Sequence, residues 1–181
     1  MNRLEAIHAL RAWDKQGKYV FTKHELHKLF PKDKPKTLSE GINRLIKDKL
    51  LIRAFRGIYV NPYATSFDGY TIEHIAKALR PGEYNYVSLE SILSEYGVIS
   101  QIPIDRITVM TTGRKGLIKT AYGVIEFTHT KRPLTDIIKN IITIKNRPLR
   151  IANKQTAWRD LKRVGRNTDM VDLEELKLDE N

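Results

Sequence analysis

Between Pro35 and Val60 the spacing of apolar positions changes period, and the rest of the chain is best read outward from that change. Leu38, Ile42, Leu45 and Ile46 recur at three- and four-residue steps, with Lys49 on the same side, while Lys36, Glu40, Asn43, Arg44 and Lys47 fall opposite. This spacing predicts an amphipathic helix with one apolar stripe and one cationic, amide-bearing face. Thr37 or Pro35 starts it well, because a proline in the first turn has no amide to leave unpaired. From Leu51 the period shortens. Leu51-Ile52-Arg53-Ala54-Phe55 and Ile58-Tyr59-Val60 are β-branched and aromatic runs separated by Arg56-Gly57, the signature of a hairpin.

Upstream, residues 2–15 place Leu4, Ile7, Ala9, Leu10 and Trp13 near one face of an opening helix, which Gln16-Gly17-Lys18 ends. Tyr19-Val20-Phe21 reads as a brief extended piece. Thr22 then caps a second helix, with Glu25 at capping-box spacing and Pro31 as its stop. Three helices and a hairpin within residues 1–62 are the complement of a winged helix-turn-helix. In that fold the third helix enters the major groove and the wing lies along the backbone.

Asn61-Pro62-Tyr63 breaks the pattern and is the expected boundary between a winged-helix DNA-binding domain, 1–62, and a mixed α/β domain, 63–181. The expected class is therefore α+β. In the second part, helices are expected at Thr71–Leu79, from Ser88 to Tyr96, over the first half of Leu134–Ile144, at Thr156–Arg163 and at Leu173–Leu178. Strands are expected at Ile107–Thr112, Gly123–His129 and Leu149–Ile151, the first two joined by a loop from Gly113 to Tyr122.

Charge sharpens this outline. The 181 residues carry 32 Lys and Arg against 21 Asp and Glu, a net +11. Residues 1–62 hold 14 basic and 6 acidic side chains, residues 63–130 hold 6 and 7, and residues 131–166 hold 11 and 2. From 167 the chain turns acidic, with 1 basic and 6 acidic residues. A basic head and a second basic block point to a polyanionic partner met at two places. With no cysteine there is no disulfide framework and no thiolate metal site. No apolar run approaches membrane-spanning length and the first residues lack a signal-peptide core, so a cytoplasmic protein with no membrane partner is expected.

The candidate DNA contacts follow from side-chain chemistry. Lys36, Thr37, Glu40, Asn43, Arg44 and Lys47 are expected at the major groove, where Asn pairs with adenine, Arg with guanine, and Lys with phosphate. Lys32 and Lys34 precede the helix near a phosphate, and Arg53 and Arg56 reach the backbone or minor groove from the wing. In the second block, Arg159, Lys162, Arg163 and Arg166 recur at three- and four-residue steps and are expected, with Arg150, to form an exposed cationic face. That face would meet DNA phosphate or an acidic protein surface, unless the acidic tail from Asp169 to Glu180 folds back on it.

Other constellations carry less. His24 and His27 stand three apart but have no third ligand near them in sequence, and His129 has no paired nucleophile. Thr112-Gly113-Arg114-Lys115-Gly116 is basic and glycine-containing, yet it lacks phosphate-loop spacing and reads as a hairpin tip. No catalytic residue, metal site or cofactor is expected, and the chain is not expected to be an enzyme.

The middle of the chain carries a resemblance. The run from Tyr86 to Gln101, YVSLESILSEYGVISQ, is followed by Ile107–Arg114, by Tyr122–Thr130, and by a late Ile151-Ala152 … Thr156–Leu161. This order, behind an N-terminal segment ending in Arg56-Gly57-Ile58-Tyr59, resembles the AbiEi-like antitoxins of type IV toxin–antitoxin (abortive infection) systems. The resemblance implies a bacterial protein that counters a nucleotidyltransferase toxin and represses its own operon by binding inverted repeats in promoter DNA. It also implies that the second domain serves the antitoxin role and can assist DNA binding. Two alternatives stay open: a winged-helix transcriptional regulator whose second domain senses a ligand, and a DNA-targeted enzyme such as a nuclease, against which the missing carboxylate cluster speaks.

Overall fold

The structure of the chain is a computed structural model that describes residues 1–100 and 105–178. The architecture is α+β, and the chain divides into two compact units, Met1–Leu79 and Arg80–Asn181.

The first unit opens with α1 (Arg3–Asp14), whose start is closed by a capping box between Asn2 and Glu5. Strand β1 (Val20–Thr22) leads into α2 (Lys23–Leu29), and here too Thr22 and Glu25 form the capping box expected from their spacing. Helix α3 (Pro35–Lys47) begins on its proline, without a side-chain cap from Lys34. Strands β2 (Ile52–Phe55) and β3 (Ile58–Val60) form the hairpin, with Gly57 in the left-handed conformation the turn demands. The three strands pair antiparallel in the order β1-β3-β2. Ala6, Leu10, Phe21, Leu26, Leu38, Ile42, Leu45, Leu51 and Tyr59 make the core, so one face of each of the three helices is spent on burial.

The unit extends 17 residues past the expected break at residue 62, to the end of α4 (Thr71–Leu79). Polar groups lace the extra segment down. The Tyr19 hydroxyl, buried, donates to Asp68 Oδ1 at 2.8 Å and lies 3.1 Å from Thr71 Oγ1. The Asp14 carboxylate accepts from the amides and hydroxyls of both Thr65 and Ser66. The Ser66 hydroxyl contributes most to pulling Asp14 down to about 2. Asn61-Pro62 is thus a bend inside the unit, because Thr65, Ser66, Asp68 and Thr71 bond to Asp14 and Tyr19 upstream of it.

The second unit is built on a six-stranded mixed sheet in the order β6-β7-β5-β4-β9-β8. Its strands are β4 (Asn85–Val87), β5 (Arg106–Thr111), β6 (Gly116–Thr120), β7 (Gly123–His129), β8 (Ile141–Ile142) and β9 (Arg150–Ala152). The helices are α5 (Leu89–Glu95), α6 (Leu134–Asn140), α7 (Lys154–Val164) and α8 (Leu173–Lys177). The segment 113–122, expected as a loop, contains the edge strand β6, antiparallel to β7. Its outward Leu117 is 53% exposed, so it lacks the apolar alternation that marks a half-buried strand. β5 and β7 are not a hairpin but a parallel pair, in register from Arg106↔Val124 to Thr111↔His129. Their carboxyl ends therefore lie side by side.

Candidate nucleic-acid interface

Helix α3 buries Leu38, Ile42 and Leu45 and turns Lys36, Thr37, Glu40, Asn43, Arg44 and Lys47 to solvent. Lys32 and Lys34 before it are exposed, as are Arg53 and Arg56 on the hairpin. Lys49, expected beside the apolar stripe, lies past the helix end and is exposed in a left-handed conformation. Among the described residues no carboxylate lies within ion-pair distance of Lys32, Lys34, Lys36, Arg44, Lys47, Arg53 or Arg56. Helix and hairpin meet through one side-chain bond: Arg53 Nη2 donates to Asn43 Oδ1 at 3.1 Å. The Arg53 guanidinium also sits 5.9 Å from the centre of the Tyr59 ring. Asn43 is exposed, and its carbonyl oxygen, which accepts this one bond, has a second lone pair. Nothing in the sequence pattern joined these two residues.

The second basic face is not one stripe. Arg166 lies past Gly165, which caps α7 with φ +73°, and its guanidinium is held between Glu90 and Glu126. Arg159 Nη2 donates to Asp136 Oδ2 at 3.1 Å, and Lys162 Nζ stands 5.2 Å from the centre of the Trp158 ring. Arg150 on β9 and Arg163 on α7 are exposed. Among the described residues the acidic tail does not neutralise the face either; Asp179 and Glu180 lie outside them. α8 is tied to the start of α7 by Lys154 Nζ and Gln155 Nε2, which donate to the backbone carbonyls of Leu178 and Leu176. The carboxylates of Glu174 and Glu175 stay in solvent.

Behind α7 is a polar cluster that no local signal revealed. Asp160, fully buried, accepts from Ser88 Oγ at 2.9 Å and from Tyr86 OH at 3.1 Å, and its other oxygen lies 3.4 Å from Arg132 Nε. Burial pushes the Asp160 carboxyl above the usual range, against the opposing pull of Ser88, Arg132 and Tyr86. Ser88, at the N-cap position of α5, spends its hydroxyl here and makes no cap bond. Leu89 follows it with φ +58°, an unusual conformation for a branched, buried side chain.

The remaining candidates are dispersed. His24 is exposed and His27 half-buried, and among the described residues no three His, Asp or Glu come together as a metal set. His129 Nδ1 lies 2.8 Å from the Gly113 carbonyl. No helix of the described residues is long and apolar enough to cross a membrane.

Fold and geometry together define an α+β protein of two units, the first presenting an exposed cationic helix and hairpin. No family profile matches the chain, and no curated protein matches it. In fold it is similar to the crystal structure of the RV2827C protein from Mycobacterium tuberculosis, with a TM-score of 0.57 over 87% of this chain at 14% identity. This chain spans 60% of the length of that protein.

Proposed function

We propose that the first unit is a winged helix-turn-helix and that the chain is a DNA-binding antitoxin. On this reading it counteracts a nucleotidyltransferase toxin and represses its own operon, as the AbiEi-like resemblance implies. The observation that carries the DNA part is the Asn43–Arg53 bond, which ties the exposed outward face of α3 to the hairpin. In this reading Asn43 and Arg44 meet base edges, Lys36 and Lys47 meet phosphates, and Arg53 and Arg56 extend the contact along the backbone. No turnover is assigned to the chain.

The experiment uses the full chain and the DNA upstream of its own reading frame. Replacing Lys36, Asn43 and Lys47 together by Ala removes repression of a promoter reporter. Rescue of cells arrested by the nucleotidyltransferase toxin of this reading persists when the variant is supplied from another promoter. Unchanged repression by a folded triple variant would sink the groove assignment. Loss of both activities would route rescue through DNA.

A further inference from the structure

Three separate stretches of the second unit converge on one groove of about 630 Å³ at the carboxyl ends of β5 and β7. The β5–β6 connection brings Arg114 and Lys115, the end of β7 brings His129 and Lys131, and the last turn of α7 brings Arg163. All four Lys and Arg side chains are exposed. Arg132, Arg147, Arg159 and Arg166 of the same unit each meet a carboxylate, whereas among the described residues these four meet none within ion-pair distance. Glu83, from the turn before β4, accepts the Thr112 hydroxyl at 2.5 Å. His129 is oriented by its Nδ1 against the Gly113 carbonyl, which leaves Nε2 as its open nitrogen.

We infer that this groove is a binding site for a compact oligophosphate, a small molecule carrying two or more adjacent phosphate groups. Four cations from three chain segments around one concavity match closely spaced negative charge better than a single carboxylate. The volume falls in the range of small-ligand sites, roughly 300–1,000 Å³. A crevice outside the carboxyl ends of parallel strands is also where mixed sheets commonly receive ligands. The inference does not rest on the DNA reading of the first unit, since no residue is shared.

The test is calorimetric titration of the full chain with inorganic tripolyphosphate at low salt. Wild type binds, and reversal of Lys131→Glu with Arg163→Glu weakens binding at least about tenfold, as loss of two charge-assisted contacts requires. Reversal of Lys36→Glu with Lys47→Glu leaves it unchanged. Thermal melts confirm folding, and the milder pair Lys131→Gln with Arg163→Gln gives the same direction should the reversals destabilise the chain. No binding by wild type overturns the assignment, as does equal loss from the first-unit reversal, which would mark diffuse charge. Should the groove reversals weaken a duplex oligonucleotide while tripolyphosphate ignores the groove, the site belongs to nucleic-acid phosphate and the assignment falls.

Discussion

The two units use their carboxylates differently, and that decides which of their cations are available. In the first unit, Asp14 holds the amides and hydroxyls of Thr65 and Ser66, Glu5 and Glu25 close capping boxes, and Asp68 receives Tyr19 and the Tyr70 amide. Arg3 and Lys18 are the cationic side chains of that unit that find a carboxylate among the described residues. In the second unit, Glu90 and Glu126 take Arg166, Asp136 takes Arg132 and Arg159, and Glu95 takes Arg147 through two parallel bonds of 2.7 and 2.8 Å. The blocks 1–62 and 131–166, one in each unit, look about equally basic when charges are counted, with 14 basic and 6 acidic residues against 11 and 2. The first leaves most of its charge exposed to solvent, while the second spends much of it on its own fold.

The largest test of this contrast is Asp160→Ala. It leaves the buried Ser88 and Tyr86 hydroxyls unpaired and removes one of the partners of Arg132, at a cost of about 3–5 kcal/mol. Urea unfolding should show a large drop in the stability of the second unit, while duplex binding measured below the transition is retained. Asn43→Ala comes next. In the proposed contact it loses about 1–3 kcal/mol against the preferred operator and relaxes the preference at one base pair. It should also free Arg53, so non-operator DNA is bound no more weakly than by wild type. A matched pair of charge deletions then compares the units directly. Lys47→Ala should lower the slope of log affinity against log salt by about 1, whereas Arg159→Ala leaves that slope alone and lowers the melting temperature instead.

The smallest effect lies at acid pH. Asp14 sits at about 2 in the folded chain, below its ordinary 3.8, with the Ser66 hydroxyl as the main cause. Its contribution to stability is therefore complete above about pH 4 and fades as pH falls toward 2. The stability gap between wild type and Asp14→Ala should be flat near neutrality and shrink across that interval, as followed by thermal melts in a pH series.

What could be read from the sequence was local. The stripe of Leu38, Ile42 and Leu45, the Thr22–Glu25 box and the Arg56-Gly57 turn depend on residues within a few positions of one another, and each appears in the fold as written. What escaped depends on partners distant in sequence. Arg166 meets Glu90 across 76 positions, and Tyr86 meets Asp160 across 74. Helical spacing put Arg166 on a stripe because it carries no information about a carboxylate on another element. The loop Thr112–Gly116 hinted at anion chemistry, but the three segments around it come together only once β7 inserts between β5 and β6.

Leu89 has a consequence for how the second unit comes apart. Its left-handed backbone, which costs about 1–3 kcal/mol for a residue with a side chain, lets Ser88 bond to Asp160 while Glu90 bonds to Arg166. Three consecutive residues thereby fasten α5 both to α7 and to the segment that follows α7. Neither attachment can be released without loosening the peptide that supports the other. The amides of α5 and α7 should accordingly exchange with solvent deuterium at a common opening free energy, as one cooperative block, rather than with α7 fraying first.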